Sequence, residues 1–68
     1  MPLSLSIVIP AYNEERRLAS TLDAVTGYLA QQAAWTWEVR VVDDGSADGT
    51  VALVRAYAAR EPRVVVQC

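Results

Sequence analysis

Three short apolar runs, separated by two stretches of helical periodicity, organise this chain. The first run, residues 5–9, is rich in β-branched residues and is followed by Pro10, which predicts a strand ending there. Its near-continuous apolarity predicts burial on both faces, as in a parallel sheet. Asn13 is a favourable helix N-cap, and Glu14 and Glu15 suit a first helical turn. Leu18, Leu22, Val25 and Leu29 then recur at helical spacing, and the helix should end between Gln31 and Ala34. Trp35, Thr36 and Trp37 read as a loop leading into a second strand over residues 38–42. A turn over residues 43–49 follows, and Asp48 is placed to cap a second helix with Leu53, Val54 and Tyr57 on its inward side. Pro62 ends that helix, because the residue before a proline disfavours the helical region. Residues 63–67, centred on Val64, Val65 and Val66, form the third strand.

The order is therefore β-α-β-α-β. Helical connections between successive strands imply a parallel α/β sheet with right-handed crossovers, in the Rossmann-like manner. Three strands and two helices leave a bare sheet edge and little core, so residues 1–68 are expected to be the opening part of a larger domain.

Composition narrows the function classes. The 68 residues carry a formal net charge of -2, with six arginines and no lysine, which gives no basic stripe for a nucleic acid. A single cysteine, Cys68, excludes an internal disulfide, and the absence of histidine removes an imidazole base or ligand. The first residues lack the positive flank of a secretory signal, and Pro10 and Glu14 interrupt their apolar run. No segment approaches the roughly 20 apolar residues of a membrane-spanning helix, so any membrane contact would come from other parts.

The chemistry concentrates where strands end. Val41 and Val42 run straight into Asp43, Asp44, Gly45 and Ser46, and the first strand runs into Pro10, Ala11, Tyr12, Asn13 and Glu14. In open α/β sheets ligands bind beyond the carboxyl ends of the strands. Side chains alternate along a strand, so one of the two aspartates can face a crevice while the other caps the turn. An ionised carboxylate there only accepts, which suits a nucleobase N–H or a ribose hydroxyl. Both aspartates closing a turn remains the alternative, since Asp-Gly is a common turn dipeptide. Tyr12 could offer its ring to a base or its hydroxyl to a phosphate, or could simply pack on the sheet end. Trp35 and Trp37 read as packing residues, and Arg16 and Arg17 as a solvated helix face.

Other ligand chemistries fit less well. Asp44, Ser46, Asp48 and Gly49 match the start of a calcium-binding EF-hand loop, but Arg55 stands where its bidentate glutamate is required. A phosphorylated receiver domain would carry its acidic pair after the first strand, where Pro10 and Ala11 stand. Glycine-rich dinucleotide and phosphate-binding loops are absent, which also disfavours a nucleotidyltransferase-like domain.

Taken together, the two strand ends resemble the opening of family-2 glycosyltransferases. The matching segments are residues 6–15 (SIVIPAYNEE) and residues 38–50 (EVRVVDDGSADGT). The spacing of Leu18, Leu22, Val25, Tyr28 and Leu29, with Trp37, Glu38 and Val39, is most similar to the members acting on polyprenyl, including dolichyl, phosphates. The resemblance implies the N-terminal nucleotide-sugar-binding half of a GT-A fold and transfer, with inversion, from a UDP- or GDP-sugar. It implies that Pro10, Ala11 and Tyr12 line the nucleobase and ribose pocket with Glu14 nearby, and that Asp43 and Asp44 hold base and ribose. It also implies a divalent metal, Mg or Mn, whose ligands lie outside residues 1–68, and a cytoplasmic or membrane-facing cytoplasmic location. No residue of this chain is expected to be catalytic or to bind the metal. A non-catalytic nucleotide-binding fragment is the rival reading.

Overall fold

The computed structural model describes residues 3–68. Its elements run β1 (Leu3–Ala11), α1 (Leu18–Ala30), β2 (Trp35–Asp43), α2 (Thr50–Arg60) and β3 (Val64–Gln67). The three strands form one sheet in the order β1-β2-β3, all parallel. The β-α-β-α-β parallel order is the one the periodicity predicted.

Both helices lie on one face of the sheet. The alternate residues Trp37, Val39 and Val41 of β2 and Val64 of β3 are buried there, against Leu18, Leu22 and Leu29 of α1 and Val54 and Tyr57 of α2. This is the direct consequence of two crossovers of the same hand proceeding in one direction across the sheet. The stripe of leucines that marked α1 in the sequence is the stripe it buries. Tyr57 is tied to α1 by its hydroxyl, which donates to Asp23 Oδ1 at 2.7 Å and lies 3.1 Å from Thr26 Oγ1. Burial raises the Tyr57 phenol above its ordinary range. At the far end of β2, the Arg63 guanidinium stacks 3.8 Å from the centre of the Trp37 ring and is held by Glu61 Oε1 at 2.7 Å.

The other face of the sheet is uncovered among the described residues. Ser4, Ser6, Val8 and Pro10 of β1 are exposed on it, which corrects the expectation that the first strand is buried on both faces. A polar row crosses it instead. Ser6 Oγ donates to Glu38 Oε2 at 2.7 Å, Arg40 Nη2 donates to the same oxygen at 3.3 Å, and Arg40 Nη1 donates to Gln67 Oε1 at 3.2 Å. The Ser6 hydroxyl, with Arg40 beside it, holds the Glu38 carboxyl below the usual range.

Four element boundaries differ markedly from the sequence reading. Pro10 lies inside β1, opposite Val42, rather than ending it. A proline is tolerated because, among the described residues, β1 pairs on one side only and need not donate on the other. Trp35, Thr36 and Trp37 belong to β2, not to a loop, and their aromatic and β-branched side chains suit the pleat. Asn13 is not the N-cap of α1: the helix begins at Leu18, after a turn in which the N–H groups of Arg17 and Leu18 both donate to Glu14 O. At its other end α1 stops at Ala30, short of the expected Gln31 to Ala34.

Candidate functional site

Register places the two predicted strand ends side by side. Ala11 lies opposite Asp43, and the Asp44 N–H donates to Ala11 O at 3.0 Å, extending the ladder one residue beyond β2. The segments bearing Tyr12 and Asp44 therefore leave the sheet together at its carboxyl end. That is where an open α/β sheet presents a crevice.

The two aspartates divide as alternation requires. Asp43 closes the turn: its Oδ2 accepts from Gly45 N–H at 3.2 Å and Ser46 N–H at 3.1 Å. Gly45 has φ 79°, a conformation that glycine adopts without steric cost. The Ser46 hydroxyl foremost, with the two amides, holds the Asp43 carboxyl below its usual range. Its other oxygen, Oδ1, is buried with no described hydrogen-bond partner. Asp44 is exposed, and none of the hydrogen bonds found among the described residues engages its carboxylate. Asp43 thus takes the turn-forming role, while the Asp44 carboxylate is left exposed at the strand end.

The remaining predicted residues take different positions. Tyr12 is 59% exposed, so it does not pack on the sheet end. Pro10 is exposed on the uncovered face beside it. The Ala11 methyl is in the core, and Ala11 acts on the site through the carbonyl that holds Asp44. The Glu14 carboxylate accepts from Arg17 Nη2 at 3.0 Å, which turns it toward α1.

Five side chains that the sequence reading did not assign to the site, those of Asn13, Glu15, Ser46, Asp48 and Thr50, join the two loops. Asn13 N–H donates to Ser46 Oγ at 2.9 Å, and Ala47 N–H donates to Asn13 Oδ1 at 2.8 Å. Glu14 N–H donates to Thr50 Oγ1 at 2.9 Å, and Glu15 N–H donates to Asp48 Oδ2 at 3.3 Å. In return Gly49 N–H donates to Glu15 Oε1 at 3.2 Å. Asp48 also serves its own helix: Oδ1 accepts from Thr50 N–H at 3.0 Å and from the Thr50 hydroxyl. The amides of the turn leading into α1 are held by side chains at the start of α2, and the Gly49 amide before α2 is held by Glu15, so ties across the two loops take the place of the local N-cap expected at Asn13. The approach is close enough that a side chain at position 49 would collide with the Glu15 carboxylate. The signal available in the sequence was the density of Asn, Ser, Asp and Thr in both loops, residues that bond to main-chain groups.

The Thr50 hydroxyl first, then main-chain amides, holds the Asp48 carboxyl below its ordinary range, as Ser46 does for Asp43. A carboxylate whose pKa is lower folded than unfolded stabilises the fold above the unfolded value, near 3.9, and loses that contribution as the pH falls through the folded value. The melting temperature is therefore expected to drop on acidification below about pH 4. Asp48→Asn should show a shallower drop, measured by circular dichroism melts across that range; identical pH profiles would remove Asp48 from the clasp.

Glu14, Glu15 and Asp48 are committed to Arg17 and to amides. No group of three or more His, Cys, Asp or Glu among the described residues is arranged to hold a metal ion. The described residues thus do not fit a metal centre. An apolar groove lined by Leu5, Ile7, Val25, Tyr28 and Trp35 opens at the opposite end of β1 from the carboxylates.

Fold and site together define a Rossmann-like α/β unit with an acidic crest at the carboxyl end of its sheet. The profile of glycosyl transferase family 2 matches residues 6–67, and the chain belongs to that family. It is 49% identical over 59 residues to a dolichyl-phosphate beta-glucosyltransferase of Drosophila melanogaster, covering 81% of this chain and 18% of the relative. The human protein of the same name is 46% identical over 57 residues, covering 78% of this chain and 18% of the relative. An undecaprenyl-phosphate 4-deoxy-4-formamido-L-arabinose transferase of Aeromonas hydrophila is 46% identical over 57 residues, covering 84% and 17%. The chain thus spans less than a fifth of the length of these relatives.

Proposed function

We propose that this chain supplies the nucleotide-sugar-binding crest of a GT-A glycosyltransferase that moves a sugar from a UDP- or GDP-sugar to a polyprenyl, dolichyl-type, phosphate. The observation that carries the reading is the juxtaposition of exposed Tyr12 with the unengaged Asp44 carboxylate at paired parallel strand ends. Asp44 accepts hydrogen bonds from the donor's base or ribose, and the Tyr12 ring gives the base an apolar face. Asp43 sets the turn that presents Asp44. The acceptor class is supported by the names of the relatives, which all act on a polyprenyl phosphate.

The reaction is a single in-line displacement with inversion. An oxygen of the lipid phosphate bonds to the anomeric carbon as the bond from that carbon to the nucleoside diphosphate breaks. An ionised phosphate needs no general base. A divalent cation would take its ligands from outside residues 3–68, and no step here is routed through it. The transfer takes place on the cytoplasmic side, at the membrane surface where the lipid acceptor resides. No helix among the described residues is long and apolar enough to cross a membrane.

The test is transfer of labelled sugar from UDP-glucose or GDP-mannose to dolichyl phosphate by the full polypeptide, paired with calorimetric titration of each donor. Transfer with donor binding supports the proposal. Binding without transfer leaves the nucleotide-binding fragment, and no binding of either donor refutes both.

A further inference from the structure

We infer that Asn13 is a positioning residue for the donor, fixing the segment that carries Tyr12 to the segment that carries Asp44 and so setting the width of the crevice between them. The inference rests on the function proposed above. Asn13 has φ 52°, the one positive value among the described non-glycine residues. Asparagine is among the few side chains that tolerate it. In that conformation Asn13 makes two bonds to the Ser46–Ala47 segment, donating its N–H to the Ser46 side chain at Oγ (2.9 Å) and accepting the Ala47 N–H on Oδ1 at 2.8 Å.

The position of this tie matters. The Ala11–Asp44 hydrogen bond secures the floor of the crevice, where the strands are still in register. The bonds from Glu14 and Glu15 to Asp48, Gly49 and Thr50 secure the helix starts further along both loops. Between them, Asn13 is the residue next to Tyr12, and Ser46 stands two residues after Asp44. Tyr12 is itself largely exposed, so its placement comes from its chain neighbours rather than from packing. Without the Asn13 tie, the Tyr12 segment is held only at Ala11 on one side and at Glu14 on the other.

Two substitutions separate backbone shape from the tie. Asn13→Gly keeps the positive φ and the N–H but removes Oδ1. Asn13→Asp keeps an acceptor at the same place and tolerates the same conformation. Tyr57→Phe is the control: it removes the bonds to Asp23 and Thr26 between the two helices and leaves the loops untouched. Dissociation constants for UDP-glucose and GDP-mannose are measured on the full polypeptide by calorimetry, below the melting temperature of every variant.

Asn13→Gly should weaken binding of the preferred donor by about tenfold, the scale of one lost hydrogen bond, and Asn13→Asp should restore it to within about threefold of the parent. Tyr57→Phe should lower the melting temperature with donor affinity unchanged. Equal affinity of Asn13→Gly and the parent overturns the inference alone. So does a loss of affinity that follows melting temperature alike in Asn13→Gly and Tyr57→Phe. Failure of the unsubstituted polypeptide to bind either donor overturns the proposed function and this inference with it. Should Asn13→Gly not fold, Ser46→Ala removes the acceptor of the Asn13 amide and is judged by the same tenfold criterion.

Discussion

Asp44→Ala should cost about 1–3 kcal/mol of donor binding, the range for loss of a hydrogen-bond partner to a desolvated group, while leaving the fold within about 0.5 kcal/mol of the parent. The separation follows from geometry. Asp44 is exposed, and none of the hydrogen bonds found among the described residues uses its side chain, so the folded chain loses nothing when it is cut back. Asp43→Ala should behave differently and lower both donor binding and melting temperature, because Oδ2 holds the amides of Gly45 and Ser46. Calorimetric titration beside a thermal melt reads both quantities. Unchanged donor affinity in Asp44→Ala would remove the residue from the crevice, and equal stability losses in the two variants would contradict the division of labour between them.

The largest effect on stability is expected at Leu22→Ala. Leu22 is fully buried under the sheet, between Leu18 and Leu29 of the same helix and the valines of β2. Truncating a buried leucine costs about 2–5 kcal/mol through lost transfer free energy and the cavity left behind. That is a large share of the roughly 5–15 kcal/mol available to a folded domain. The urea midpoint of the full polypeptide should fall accordingly. A midpoint within error of the parent would mean that α1 is not seated on β2 as described.

Much of this architecture was legible along the chain because it is written in local periodicity. The leucine stripe of α1 and Val54 and Tyr57 of α2 occupy the inward faces their spacing assigned, with Leu53 partly buried beside them. The errors arose where a local rule met a tertiary circumstance. Position before the apolar run suggests a loop for Trp35 and Trp37, although with Val39 and Val41 they continue one alternating, helix-facing row. Pro10 suggests a stop, although a strand paired on one side only, as β1 is among the described residues, can hold a proline. Asn13 suggests a cap for the helix beside it, whereas it takes a left-handed conformation and reaches across to Ser46 and Ala47. For the site, local reading supplied the carboxylates and their place at the strand ends. It could not supply Ser46, Asp48 and Thr50 as partners of residues 13–15, because those bonds join positions more than thirty residues apart.

The exchanged caps have a kinetic side. An isolated helix start frays independently of its neighbours, at little free-energy cost. Here, releasing the Glu14 and Glu15 amides also breaks the cross-loop bonds of Thr50 and Asp48 and leaves those two bonded to each other, so opening of the turn before α1 is coupled to the start of α2. Their protected amides should exchange with solvent deuterium at one common rate, as a single cooperative unit distinct from the sheet beneath. The crest then fluctuates as one body, and Tyr12 and Asp44 travel with it together.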